Sequence, residues 1–196
     1  MFTDKTMTGR RSFLLGAAAA GLLVTGGAAS AGPIKKNFKP LTEYPEDPWA
    51  GRELHSWERI RLRSFAERVN KKLAEIPVKA TVLKDHVRIR IPASISYVPG
   101  KDALNPDGVA ILTLIAEQLT DQKLVRVEIV AHHDARPTDY VGYTFTQRRA
   151  MAAKAALISR GIDSARLKAT ALGTKFPFTD PYSPENQRIE LIVRPV

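Results

Sequence analysis

The sequence predicts an α/β protein in which a mixed β-sheet carries helices packed on one face and is preceded by one amphipathic helix. Short segments that alternate apolar and polar residues predict the strands, and segments with one apolar face at helical spacing predict the helices. Proline, glycine and asparagine mark the connections between them. The order strand, helix, strand, helix, strand, strand indicates one mixed sheet.

Residues 1–31 are predicted to be an export signal, and they are excluded from the fold. The segment Arg10-Arg11-Ser12-Phe13-Leu14 resembles the R-R-x-F-L pattern of twin-arginine signals, and Ala29-Ser30-Ala31 matches an A-x-A cleavage site. The weakly apolar run between them, from Phe13 to Val24, is too short to span a bilayer comfortably. The alternative is a signal that is kept as a membrane anchor.

The composition excludes several kinds of site. The chain of 196 residues has a formal net charge of +10 and contains no cysteine. Without cysteine we expect neither disulfides nor thiolate metal sites, and no lipoprotein anchor, which requires that residue. A basic protein often binds nucleic acid, but an exported one meets peptidoglycan carboxylates and anionic lipid head groups instead. We therefore expect no nucleic-acid partner.

A linker and a helix are predicted before the main domain. Residues 32–51 are rich in proline and lysine, which favours an extended, semi-rigid linker. Residues 52–76 predict an amphipathic helix, since the apolar residues recur on one side. These are Leu54, Trp57, Ile60, Phe65, Val69, Leu73 and Ile76. We expect this side to pack on the domain at 77–196; the alternative is contact with an envelope partner or a second copy of the chain.

Strands and helices of the domain at 77–196 follow from periodicity and from breaker residues. The predicted strands are residues 78–83, 86–91, 125–130, 167–172 and 187–193, with a short extended piece at 94–98. Asn105-Pro106 predicts the start of a helix that stops near Asp121. A second helix is predicted from Thr146 to Ser159, and a long surface loop from Thr174 to Glu185.

Two opposite charges flank the central loop. Asp134 follows the strand at 125–130, and Arg149 comes fifteen residues later, in the helix whose N-cap is predicted to be Thr146. Arg148 and Arg149 would then face the positive end of the helix dipole, which costs about 0.3–1 kcal/mol each unless an anion binds there. We predict that Asp134 and Arg149 form a paired site that is open to solvent, with N–H groups of the helix start assisting. The alternative is a simple salt bridge that closes the loop.

The residues around this pair resemble a known family. His132-His133-Asp134 followed by Phe145-Thr146-Gln147-Arg148-Arg149-Ala150 is similar to the HTD…LSxxRA signature of the OmpA-like C-terminal domain, which binds peptidoglycan. Four further motifs of the family match in order over roughly residues 85–196. They are Leu104-Asn105-Pro106-Asp107-Gly108, Gly161-Ile162 with Arg166-Leu167, Gly173 with Pro177, and Asn186-Gln187-Arg188-Ile189-Glu190.

The resemblance implies an exported cell-envelope protein that binds peptidoglycan non-covalently through the diaminopimelate of the stem peptide. It implies a location in the periplasm, at the cell wall and the outer membrane. In the family an aspartate and an arginine hold diaminopimelate, and these positions fall on Asp134, for the ammonium, and Arg149, for the carboxylate. His133, Gly142 and Arg188 fall on further binding positions of the family.

Other functions are left open by the same residues. The family has a threonine where this chain has His133, an asparagine at Gly142 and an arginine at Gln187, a set of departures that favours a structural module of an envelope complex that no longer binds peptidoglycan. His132, His133 and Asp134 are possible metal ligands, but adjacent residues at a strand end point to opposite sides, so we expect neither a metal nor another cofactor. There is no G-x-S-x-G motif, no cysteine nucleophile and no H-E-x-x-H motif, which argues against an enzyme.

Overall fold

The computed structural model describes residues 51–136 and 139–196, and gives only the backbone of residues 139 and 140. The predicted export signal and nearly all of the linker lie outside the described residues. Four α-helices and five strands make up the described part. The helices are α1 (Ser56–Lys72), α2 (Ala93–Ser96), α3 (Pro106–Thr120) and α4 (Asp139–Ser159), and the strands are β1 (Lys79–Val82), β2 (Val87–Pro92), β3 (Val125–His132), β4 (Leu167–Gly173) and β5 (Arg188–Pro195).

The five strands form one mixed sheet in the order β1-β2-β5-β3-β4. β5 is antiparallel to both of its neighbours, β2 and β3, whereas β3 and β4 are parallel and are connected through α4. The α/β class and the mixed sheet predicted from the sequence are therefore confirmed. In the described part of the chain, no helix combines the length and apolar character needed to cross a bilayer.

The core lies between the sheet and the helices. Alternate residues of the strands, among them Ile89, Ile129 and Leu191, point into it and are completely buried. The same core takes up apolar residues of α3 and α4, such as Ile115 and Leu157. The apolar residues of the strands alternate with polar ones and therefore all point to one face of the sheet. The helices pack on that face because their own apolar sides cover these residues.

Helix α1 belongs to the same core, but it is shorter than the sequence predicts. It begins after His55 and ends at Lys72, and Glu58 accepts a hydrogen bond from the His55 backbone N–H at 2.9 Å, which fixes its first turn. Phe65 and Val69 are buried in the core as expected. Leu54 is also buried as predicted, but Trp57 and Ile60 are 49% and 68% exposed, so the prediction is wrong for these two residues.

Two local predictions near α3 have different outcomes. The start of α3 is confirmed, since the Asn105 side chain accepts a hydrogen bond from the Gly108 N–H at 2.7 Å and Pro106 follows at the first helical position. The extended piece predicted at 94–98 is wrong, since Ala93–Ser96 is one helical turn. Gly108 is required where this turn meets α3, because a Cβ there would lie 2.0 Å from the Ser96 carbonyl oxygen.

Helix α4 begins at Asp139, seven residues earlier than predicted. Thr146 is therefore not an N-cap. It is buried inside the helix, where its hydroxyl donates to the carbonyl oxygens of Gly142 and Tyr143, each at 2.9 Å. This back-bonding is what a threonine does in a helix interior.

Candidate ligand-binding site

Asp134 lies two residues beyond the end of β3, in a loop held by two backbone hydrogen bonds. The His133 N–H donates to the Gly173 carbonyl at 2.7 Å, and the Ala135 N–H donates to the Pro181 carbonyl at 2.8 Å. The Asp134 side chain is completely buried. A buried carboxylate needs hydrogen-bond donors to remain charged.

The protein itself supplies those donors. The Arg136 side chain donates twice to Asp134 Oδ2, from Nε at 3.0 Å and from a terminal nitrogen, and Gln187 Nε2 donates to the same oxygen at 2.8 Å. The Arg136 N–H donates to Oδ1 at 3.3 Å, and His133 Nδ1 lies 3.2 Å from that atom. Burial alone would raise the pKa of Asp134, but the hydrogen bonds from Arg136 and Gln187 outweigh it and lower the pKa to about 2. Asp134 is therefore an anion across the physiological pH range.

Arg149 projects from α4 and is also buried, at 3% exposure. Its guanidinium lies between two aromatic rings, with its central carbon 4.3 Å from the Phe145 ring centre and 4.7 Å from that of Tyr97. Nε and one terminal nitrogen donate to the Lys101 carbonyl at 3.2 and 3.1 Å. The Tyr97 hydroxyl donates to the Arg149 carbonyl at 2.8 Å, so this hydrogen bond holds the Tyr97 ring against the backbone of α4.

Gln187 connects the two charges. Its amide nitrogen donates to Asp134, and its amide oxygen accepts from the other terminal nitrogen of Arg149 at 3.4 Å. The sequence identified this residue only as a departure from the family's arginine, and its bridging position depends on β5 lying next to β3. The neutral amide of Gln187 thus forms a hydrogen bond with each charged group and separates the carboxylate from the guanidinium.

Two details of the predicted pair are wrong. Arg149 lies ten residues after the first residue of α4, so neither the N–H groups of the helix start nor the positive end of the helix dipole lies beside it. The pair is also not open to solvent, since both side chains are buried. The cause is the early start of the helix together with three neighbours, Arg136, Gln187 and Phe145, that cover the charges.

The other predicted site residues lie in different environments. His133 is next to Asp134, and the edge of its ring contacts Phe145 with 5.4 Å between ring centres. Gly142 is in the first turn of α4, close to Gly173 of β4. Arg188 points to the opposite face of the sheet from Gln187, and it donates to Glu190 at 2.9 Å. The structure therefore brings His133 to the pair and does not bring Arg188 there.

The possible metal ligands are separated. His132 is completely buried on the other face, with Nε2 3.8 Å from Glu190 Oε2, while His133 faces Asp134. Burial and, after it, the charge of Arg188 lower the pKa of His132 to about 3, against the opposing charge of Glu190. Across residues 51–136 and 139–196, no group of three or more histidine, aspartate or glutamate side chains could hold a metal ion.

Comparisons with known proteins agree with this fold. The model of the OmpA family matches residues 96–190. The chain is similar to a curated Escherichia coli (strain K12) protein named "Probable lipoprotein YiaD", at 24% identity over 123 residues. That match covers 61% of this chain and 56% of the relative, so the chain spans little more than half of the relative's length.

Solved structures show the same architecture. A MotB-like protein from Desulfovibrio vulgaris aligns with a TM-score of 0.61 at 19% identity, over 71% of this chain and 95% of that one. The cell wall anchor of the T6SS from Pseudomonas aeruginosa aligns with a TM-score of 0.61 at 22% identity, over 71% of this chain and all of the other. At these identities the likeness establishes the fold. The likeness agrees with the match of the OmpA family model to residues 96–190.

Proposed function

We propose that this protein is an exported, non-enzymatic envelope protein that binds peptidoglycan non-covalently through the diaminopimelate of the stem peptide. The observation that carries the proposal is the arrangement of Asp134 and Arg149, an ionised carboxylate and a guanidinium on either side of one amide, Gln187. The OmpA family domain around them supports it, as does the similarity of the fold to a cell wall anchor.

The ligand's charges match those of the site. Diaminopimelate carries an ammonium and a carboxylate at one end, so its ammonium can replace Arg136 at Asp134 while its carboxylate accepts from Arg149. Arg136 is the partner that can leave, because its side chain is 58% exposed whereas Gln187 is held between both charges. Binding of this kind exchanges one ion pair for another, which predicts modest and reversible affinity.

A second candidate is a structural module of an envelope complex that does not bind peptidoglycan. The specific observation in its favour is that the Asp134 carboxylate already accepts hydrogen bonds from Arg136 and Gln187. In this case the two charges stabilise the loop after β3 and have no external ligand. The exposed Trp57 and Ile60 on α1 suit contact with an envelope partner or a second copy of the chain.

Sedimentation with purified peptidoglycan sacculi distinguishes the two candidates. We expect the full chain to pellet with sacculi and to be released by added diaminopimelate. Asp134→Asn and Arg149→Gln should reduce the bound fraction about tenfold or more, because each removes a charged hydrogen-bond partner worth about 1.5–3 kcal/mol. Arg148→Gln is the matched control, since its side chain points to Asp102 and is 58% exposed.

The three possible outcomes can be interpreted if thermal unfolding shows that each variant is folded. Loss of pelleting in Asp134→Asn and Arg149→Gln, but not in Arg148→Gln, supports the binding site. Equal pelleting of all four proteins contradicts it, and absence of pelleting by the parent chain favours the structural module.

A further inference from the structure

The face of the sheet that points away from the helices is strongly basic. Alternate residues of the strands lie on it, beginning with Lys79 of β1, Arg90 of β2 and Glu190 of β5, which are neighbours in register. By the same alternation the face carries more cations than carboxylates. The cations are Lys79, Arg88, Arg90, Arg126, Lys168, Arg188 and Arg194, and the carboxylates are Glu128 and Glu190.

Three of these cations surround one carboxylate. Glu190 is completely buried and accepts hydrogen bonds from Arg90 Nε at 3.0 Å and Arg188 Nε at 2.9 Å, and Arg88 Nε lies 3.9 Å from its other oxygen. In the described part of the chain the three arginines share this one carboxylate, and at these distances the arginines also repel one another. The pKa of Arg90 reflects this, because burial lowers it and both Arg188 and Arg88 lower it further, against the effect of Glu190.

Part of this face is covered and part is open. Phe178, in the loop before β5, lies over Arg90 with 3.7 Å between the guanidinium carbon and the ring centre, and Phe176 packs on Val130 and Ile192. Towards the edge strand β1 there is instead a recess of about 210 Å³. It is lined by Pro77, Lys79, Thr81, Leu83, Arg88, Arg90 and Pro92.

The recess has the size and charge for a small anion. A water molecule takes up about 30 Å³ in the liquid, so the volume admits a tetrahedral oxyanion with some of its hydration. Lys79, Arg88 and Arg90 line it, and within residues 51–136 and 139–196 the carboxylate beside the two arginines is Glu190, which carries one negative charge. A singly charged carboxylate would leave an excess of positive charge, whereas a phosphate monoester carries about −1.5 to −2 at neutral pH.

We propose that this recess between β1 and β2 binds a phosphate group in its dianionic form. Arg88 and Arg90 donate to the phosphate oxygens from the floor, and Lys79 supplies a point charge at the rim. The phosphate can be free in solution or be the headgroup of an anionic lipid; the ligand chemistry is the same. The site is on the opposite face of the sheet from Gln187, and it does not depend on the proposed peptidoglycan site.

Calorimetric titration of the full chain with inorganic phosphate at pH 8 and constant ionic strength tests the proposal. We expect saturable binding that Arg90→Gln weakens about tenfold or more, since it removes a charged hydrogen-bond donor, and that Lys79→Gln weakens about two- to fivefold. The matched control is Lys168→Gln, which removes another exposed lysine from the same face at the opposite edge and should leave the affinity unchanged. Because Lys79 is exposed on an edge strand, its variant tests the site even if Arg90→Gln fails to fold.

Two further titrations define the ligand. Acetate at the same concentration should bind at least several-fold more weakly than phosphate, because it carries a single charge. Vesicles of phosphatidylcholine with and without phosphatidic acid test the lipid source, and binding to them should show the same dependence on Lys79 and Arg90 and not on Lys168. The proposal is overturned if neither probe binds saturably, if acetate binds as well as phosphate, or if all three variants lose affinity equally.

Discussion

Removal of the Arg136 side chain should strengthen binding of the peptidoglycan stem peptide while weakening the fold. In the free protein Arg136 occupies Asp134 Oδ2 through two donors, and a ligand ammonium must displace it. The side chain is 58% exposed, so solvent screens the pair and its contribution is about 1 kcal/mol or less. That figure corresponds to about a fivefold lower dissociation constant for Arg136→Ala and to a decrease of roughly 2–4 °C in Tm.

Opposite changes in affinity and stability make this prediction specific. Affinity can be measured from the fraction of protein that pellets over a series of sacculus concentrations, and Tm by circular dichroism. Arg160→Ala is the matched control, since it removes an exposed arginine at the end of α4 that donates to Thr113. Weaker pelleting by Arg136→Ala would refute the reasoning, because Arg136 would then be a contact to the ligand and not its competitor.

Two further predictions concern stability. The pKa of Asp134 is lowered to about 2 in the folded state from an ordinary value of 3.8. Its charge therefore stabilises the fold above about pH 4, by about 2 kcal/mol, and this contribution is lost as the pH falls towards 2. The stability deficit of Asp134→Asn in urea unfolding should therefore be largest above pH 4 and shrink towards pH 2; a deficit independent of pH would contradict it. Gly108→Ala should destabilise by about 3 kcal/mol or more, because the new Cβ would lie 2.0 Å from the Ser96 carbonyl oxygen, a clash that the backbone must relieve by moving. An unchanged Tm for Gly108→Ala would show that α2 and α3 can separate without loss.

The strands could be predicted because their pattern is local. Alternation at 86–91 and 125–130 identifies β2 and β3 within two residues, since a sheet with one apolar core needs every second side chain to be apolar. The start of α4 could not be found in this way. Gly142 and the aromatic and β-branched residues around it have low helix propensity, and the helix forms there because its first turn packs against Gly173 of β4, a contact made by the fold.

The sequence predicts which two charged residues form the candidate site, but it does not predict which residues surround them. Asp134 and Arg149 follow from the spacing of a strand end and a helix, and both lie near one amide in the structure. Their burial depends on residues that no local pattern assigns to them. Arg136 is close in sequence but its side chain could equally extend into solvent, and Gln187 is brought in only by the order of the strands.

The position of β5 has a consequence for how the chain reaches this structure. β5 follows every other strand in sequence yet lies between β2 and β3, and the ion pair of Arg90 with Glu190 joins residues 100 positions apart. Until β5 is inserted, β2 and β3 each present an unpaired edge, and such edges favour association with other chains. Folding should accordingly be slow for a domain of this size, and the interval before β5 docks is when the chain most needs protection from aggregation.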